Sequence, residues 1–162
     1  MGLGSRRFAA AVAALAMIAP AHAGGDLGFD LQIVLSKRAA AELGRRKEGV
    51  IVRASYFGDP LPSAQRHTNE IGQIDLGNEM LTLRGLGGPA HVSGATVEQK
   101  RLGWLKGPPM VNVNVFTARR SSPDNLISCD FVDGEVARVA ARPITLHCSL
   151  ITEQRETTAF PR

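Results

Sequence analysis

The stretch NLISCDFVDGEVARVAARPITLHCSLI (125–151) contains both cysteines of the chain and the most direct information about its fold. In each half, apolar and polar residues alternate, which is the pattern of a strand with one face in the core. Cys129 shares its apolar face with Ile127, and Cys148 shares its apolar face with Leu146. Both sulfur atoms are therefore expected to point to the apolar side of their strands.

We predict a structural disulfide between Cys129 and Cys148. A redox-active pair usually has the spacing C-x-x-C, and a zinc site needs four ligands close together. A catalytic pair of Cys129 with His147 would need both side chains on one face, whereas the alternation places them on opposite faces. The predicted bond closes a loop of 20 residues. Such a constraint on the unfolded chain is worth about 3 kcal/mol.

Residues 1–23 have the pattern of a cleaved signal peptide. Arg6 and Arg7 precede an apolar run from Phe8 to Ala19, and after Pro20 comes the small-x-small sequence AHA (21–23), which signal peptidase accepts. The run is shorter than the roughly 20 residues that a membrane-spanning helix needs, so no transmembrane segment is predicted. We predict cleavage between Ala23 and Gly24, export by the general secretory route, and a periplasmic or secreted location. Two cysteines in such a compartment favour a disulfide.

The mature chain is predicted to be one domain of nearly balanced charge. Removal of Arg6 and Arg7 would lower the formal net charge from +4 to +2. A nucleic-acid-binding protein would normally carry a larger, clustered excess of basic residues, so this class is excluded. Residues 24–162 suit a single hydrophobic core, with loose ends expected at 24–28 and 152–162.

Short β-rich runs separated by turn residues make up most of the chain. The clearest is MVNVNVFTA (110–118), in which valines form one face and Asn112 and Asn114 form a polar one. A hairpin turn is predicted at Gly77-Asn78. The other predicted strands are 31–35, 49–57, 91–97, 126–132 and 144–150.

One short helix is predicted after the first strand. Ser36 can accept a hydrogen bond from a free amide of the first turn, and Gly49 offers a stop. Seven or eight short strands at a spacing of about ten residues predict a mainly β fold. We predict an antiparallel β-sandwich, either immunoglobulin-like or transthyretin-like.

No catalytic or cofactor motif is recognisable, so no cofactor and no metal site are predicted. His67, His91 and His147 are far apart in the sequence, and no G-x-S-x-G or phosphate-loop pattern occurs. One alternative remains: a small periplasmic hydrolase whose site combines His67, His91 and carboxylates. That hypothesis requires two histidines and an acid to meet in one cleft.

The preferred prediction is a non-enzymatic exported domain that binds or assists a partner through its loops, mainly 58–70 and 85–90. Trp104 is the predicted binding residue, because a loop tryptophan either closes the end of a sandwich or anchors a partner. The partner is expected to be a protein or an anionic component of the cell envelope. Basic residues that could form a patch for such a component, or only a solvated surface, are Lys37, Arg38, Arg45, Arg46, Lys47, Lys100, Arg101, Lys106, Arg119 and Arg120.

Overall fold

The computed structural model describes residues 27–83 and 87–161. The structure is 43% strand and 21% helix, which confirms the prediction of a mainly β fold. The predicted signal peptide and its cleavage site at Ala23 and Gly24 lie outside the described residues. No helix in the described ranges is long and apolar enough to cross a membrane.

Nine strands and three short α-helices follow one another along the described residues. In chain order they are β1 (Phe29–Leu35), α1 (Lys37–Arg46), β2 (Val50–Gly58), β3 (Ile74–Thr82), β4 (Gly88–Val92), α2 (Gln99–Leu102), β5 (Met110–Thr117), β6 (Ile127–Cys129), β7 (Phe131–Glu135), α3 (Val136–Ala140), β8 (Ile144–Leu150) and β9 (Ala159–Phe160). Short 3-10 helices lie at Pro62–His67 and Ile151–Glu153.

The strands form two mixed sheets around one hydrophobic core. The four-stranded sheet has the order β4-β1-β8-β6, and the five-stranded sheet has the order β3-β2-β5-β7-β9. Five neighbouring pairs are antiparallel, but β1 pairs with β8 and β7 pairs with β9 in parallel. The prediction of purely antiparallel sheets is therefore wrong, because alternation along a strand shows which face is buried but not which direction its neighbour runs.

The inner faces of the sheets carry the side chains that the alternation predicted. In β2 and β5 the buried apolar side chains are Val50, Val52, Ala54, Tyr56, Val111, Val113 and Val115. Ala39 and Leu43 of α1 are also fully buried against this core. The Tyr56 hydroxyl donates to the carbonyl oxygen of Leu27 at 3.0 Å, so its polar end is satisfied.

The disulfide between Cys129 and Cys148 is confirmed. The two residues are directly opposite each other on β6 and β8, with their Cα atoms 4.0 Å apart. The bond therefore joins neighbouring strands of one sheet. Cys148 is buried and Cys129 is half-buried against the core.

Asp130 divides the predicted strand 126–132 into two strands of different sheets. β6 ends at Cys129 in the four-stranded sheet, and β7 begins at Phe131 in the five-stranded sheet. The alternation changes phase at this point, so Val132 is buried while Phe131 is half-buried. The predicted loose end 152–162 is also wrong in part, because it contributes β9 beside β7.

Gly77 lies inside a continuous strand, so the predicted hairpin is wrong. Tyr56 pairs with Gly77 and Phe57 pairs with Asp75, which leaves Leu76 as the extra residue of a β-bulge. Gly77 has a φ of 139°, and a Cβ there would collide with the carbonyl oxygen of Thr96. Glycine is thus required by a bulge rather than by a turn.

Two element boundaries differ from the sequence prediction because of local hydrogen bonds. Ser36 caps α1 as predicted, its Oγ accepting from the amide of Ala39 at 3.0 Å. The helix ends at Arg46, however, and Lys47 rather than Gly49 takes the left-handed conformation. The predicted strand 91–97 ends at Val92, because the Glu79 carboxylate holds the following turn through the amides of Ser93 and Gly94.

Candidate functional site

A cavity of about 340 Å³ opens where β8, α3 and the C-terminal segment meet. Three of its lining side chains are basic, and no aspartate or glutamate lines it. Its lining residues are Arg138, Arg142, Pro143, Ile144, Thr145, His147, Phe160 and Pro161. We call this cavity the basic pocket.

The local folding of α3 and β8 explains why the polar groups of this pocket face outward. In β8, Ile144, Leu146 and Cys148 point into the core, so Thr145 and His147 point to the exposed side. In α3, two buried valines hold the helix against the core. Arg138 therefore lies on the exposed side of α3.

The buried carboxylate of Asp130 fixes two walls of the basic pocket. One oxygen accepts from the backbone amide of His147 at 2.9 Å. The other accepts from the backbone amide of Thr158 at 2.9 Å and from the Arg155 guanidinium at 2.8 Å. Thr158 directly precedes β9, whose Phe160 lines the pocket. One side chain thus sets the relative position of β8 and the C-terminal segment.

Asp130 is ionised by its surroundings. Burial by itself would raise the pKa of Asp130, but the amides of His147 and Thr158 and the charge of Arg155 outweigh it and lower the pKa. Arg155 is consequently neutralised by Asp130. Arg138 and Arg142 form no ion pair within the residues that the structure describes, so their charges are available to a ligand.

The basic pocket has the chemistry of a site for an anion that carries an apolar group. Guanidinium groups donate paired hydrogen bonds to carboxylate and phosphate oxygens. The Thr145 hydroxyl and the His147 imidazole add further polar groups beside them. Phe160 and Pro161 supply an apolar wall, as ligand pockets usually do.

Trp104, the predicted binding residue, is half-buried against the core. Its ring stacks on the ring of His67 with centroids 4.2 Å apart and an angle of 9° between the planes. Its carbonyl oxygen accepts from the amide of Leu61 at 2.7 Å. These contacts hold the loop after β2 against the segment after α2, and a ligand contact of Trp104 stays a prediction.

The three histidines lie in different places, and none of four surface cavities formed by the described residues is lined by two of them. His67 stacks on Trp104. The Nδ1 atom of His91 lies 2.8 Å from a carboxylate oxygen of Asp30, and both side chains are exposed. His147 lines the basic pocket. Within the ranges 27–83 and 87–161, no group of three or more His, Cys, Asp or Glu residues could hold a metal ion.

The basic residues around α1 are partly neutralised. Glu42 pairs with Arg45 at 2.7 Å and with Arg46 at 2.6 Å.

The buried carboxylate of Glu48 joins the end of α1 to the loop after β5, accepting from the amides of Arg120 at 3.1 Å and Ser121 at 2.7 Å. Two of the predicted basic segments therefore meet at this end of the protein.

Arg138 and Arg142 were not among the predicted site residues. They are four residues apart, but α3 ends at Ala140, so Arg142 lies beyond the helix. Their spacing in VARVAARP (136–143) therefore did not indicate that both would line one pocket. The contribution of Phe160 could not be foreseen, because it depends on the pairing of β9 with β7.

No family model matches this chain, and comparison with curated proteins and with solved structures gave no match either.

Proposed function

We propose that this protein is an exported, non-enzymatic binding domain that takes an anionic ligand with an apolar group in the basic pocket. The observation that carries the proposal is that Arg138, Arg142 and His147 line one cavity, which no carboxylate lines. The anion would come from the cell envelope or from a small organic molecule of the periplasm. The protein would reach that compartment through the signal peptide of residues 1–23, and a disulfide is compatible with it.

We also propose a sandwich arrangement of the immunoglobulin-like or transthyretin-like kind. Its support is the single hydrophobic core that both sheets share. The outer faces and loops of such a scaffold stay free to carry binding residues. Trp104 is retained in the proposal as a second contact, for a protein partner.

The experiment is a calorimetric titration with phenyl phosphate, inorganic phosphate and phenol. Phenyl phosphate should bind more tightly than inorganic phosphate, because only the former also covers Phe160 and Pro161. Phenol, which lacks the anion, should not bind. Arg138→Gln and Arg142→Gln should each weaken phenyl phosphate binding by about tenfold or more, since a charged hydrogen bond is worth about 1.5–3 kcal/mol.

The matched control is Arg45→Gln, which removes an exposed arginine outside the pocket. It should leave the affinity unchanged. Equal effects of all three substitutions would contradict a specific site. Sedimentation with phosphatidylglycerol and phosphatidylcholine vesicles separates a lipid head group from a free organic anion.

The alternative of a hydrolase is supported by one contact, the 2.8 Å pair of His91 and Asp30. A carboxylate that orients a histidine is part of many hydrolytic sites. Among the described residues, however, no serine or cysteine side chain is hydrogen-bonded to a histidine. Release of phenol during the titration would favour this alternative, and loss of that release in His91→Ala would assign it to the pair.

A further inference from the structure

The outer face of the five-stranded sheet carries a second, larger cavity of about 450 Å³. Its floor contains four polar side chains, one from each of four neighbouring strands. These residues are opposite one another in register, and we call them the polar row: Asn78, Ser55, Asn112 and Asp133. Because neighbouring strands are about 4.8 Å apart, the polar row extends about 14 Å across the sheet.

A short loop before β3 forms one wall of this cavity. The Asn69 Oδ1 atom accepts from the amides of Ile71 at 3.1 Å and Gln73 at 3.0 Å. The Asn69 amide donates to the carbonyl oxygen of Gln73 at 2.8 Å. Ile71 and Gln73 line the cavity. The wall is therefore formed before any ligand arrives.

The composition of the floor is unusual for a strand. Asparagine is depleted in strands, yet β5, the central strand of the sheet, carries Asn112 and Asn114 on its outer face. Nothing in the fold of β5 requires an amide at these positions, because its buried face is made by valines. Asn112 and Asn114 thus present polar groups that the core does not use.

The amides of the polar row are oriented with their donors free. Asn114 donates to the Oδ1 atom of Asn112 at 2.5 Å, and Arg53 donates to the Oδ1 atom of Asn78 at 3.1 Å. Within the described part of the chain, the Nδ2 groups of Asn78 and Asn112 have no protein acceptor. The Asp133 carboxylate, at the end of the polar row, is an acceptor without a protein donor among the same residues.

The charges of this cavity nearly balance, in contrast to those of the basic pocket. Its charged lining residues are Arg53, Asp75 and Asp133. Asp75 is partly engaged, since it accepts from the amide of Gly77 at 3.0 Å. The cavity also presents the half-buried ring of Phe57 and the side chain of Ile71, which is 77% exposed. One arginine and two aspartates give a formal net charge of −1, so this surface does not favour an anion.

From these observations we propose that this cavity binds a neutral oligosaccharide. Side-chain amides and carboxylates can donate to and accept from the hydroxyl groups of a sugar, and an aromatic ring can pack on its C–H groups. A row of such groups in one line suits a chain of sugar units better than a compact ligand. This inference is independent of the proposed function, because the cavity and the basic pocket are lined by different residues.

The test is an NMR titration of the ¹⁵N-labelled protein with maltohexaose, cellohexaose, chitohexaose and hexagalacturonate. At least one of the three neutral hexasaccharides should shift the side-chain amide signals of Asn78 and Asn112. Asn112→Ala should weaken that binding by about five- to tenfold, the effect of one lost hydrogen bond. Asn112→Thr should do the same while keeping the strand, since threonine is favoured in strands.

The matched control is Gln32→Ala, which removes an exposed amide from β1, outside this cavity. It should leave oligosaccharide binding unchanged, and so should Arg138→Gln. The proposal is overturned if no neutral hexasaccharide shifts these signals at millimolar concentration. It is also overturned if only hexagalacturonate binds, or if both Asn112 variants keep full affinity.

Discussion

Asp130 and Glu48 are both buried carboxylates that tie together distant segments, but they differ in the donors that they accept. Glu48 accepts only from neutral groups: the amides of Gly49, Arg120 and Ser121 and the hydroxyl of Ser121. Asp130 accepts from two amides and from the guanidinium of Arg155. Glu48 joins a helix end to a loop, whereas Asp130 joins β8 to the C-terminal segment beside the basic pocket.

The comparison shows two roles of a buried carboxylate. Glu48 stabilises the fold alone, whereas Asp130 stabilises the fold and also positions residues of the basic pocket. The segments that Glu48 orders line neither the basic pocket nor the cavity on the five-stranded sheet. The segments that Asp130 orders supply His147 and Phe160 to the basic pocket. Loss of Glu48 should therefore affect stability only, while loss of Asp130 should affect stability and ligand binding.

The largest effect is expected for Asp130→Ala. The carboxylate is buried, but Arg155 is 40% exposed, so its charge would be solvated after the substitution. The buried amides of His147 and Thr158 would lose a charged acceptor, and since a hydrogen bond to a charged group is worth about 1.5–3 kcal/mol, we expect a loss of about 3 kcal/mol. Urea unfolding should show this loss, and calorimetry at a temperature where the variant is folded should show weaker binding of phenyl phosphate. Unchanged affinity in the folded variant would contradict the positioning role of Asp130.

A smaller effect is expected for Glu48→Ala. The amides of Gly49, Arg120 and Ser121 would lose their acceptor, and unsatisfied buried donors cost about 1–3 kcal/mol. Urea unfolding measures this change. The affinity for phenyl phosphate should stay equal to that of the unchanged protein. Weaker binding by the folded variant would contradict the claim that Glu48 affects stability only.

The smallest effect concerns the pH dependence of stability. Burial raises the pKa of Glu48, but the hydrogen bonds from Ser121 and from the backbone amides of Arg120 and Gly49 outweigh it and lower the pKa from 4.5 to about 2. A carboxyl whose pKa is lower in the folded state stabilises the fold above its unfolded pKa. This contribution should be lost as the pH falls from 4.5 towards 2.

Glu48→Gln tests the pH prediction, because glutamine keeps the size of the side chain but does not titrate. The difference in unfolding free energy between the two proteins should be largest near neutral pH and should shrink below pH 4.5. A difference that stays constant over this range would show that the charge of Glu48 contributes nothing.

The features of the fold that could be predicted are those set by residues close together in the sequence. The strand at 110–118 and the Ser36 cap were predictable, because alternation and capping involve residues close together in the sequence. The break at Asp130 and the bulge at Gly77 were not, because each depends on a partner from another part of the chain. Asp130 needs Thr158, and Gly77 needs Thr96.

By itself, the sequence determined the mainly β content, the buried faces of β2 and β5, and the pairing of Cys129 with Cys148. These features follow from residue type and from the period of two along a strand, which are local properties. Only the tertiary structure decided the parallel pairs, the basic pocket and the cavity over the polar row. Each of these features brings together residues that are far apart in the sequence. Their distance in space is set by the packing of the core and cannot be read from their separation along the chain.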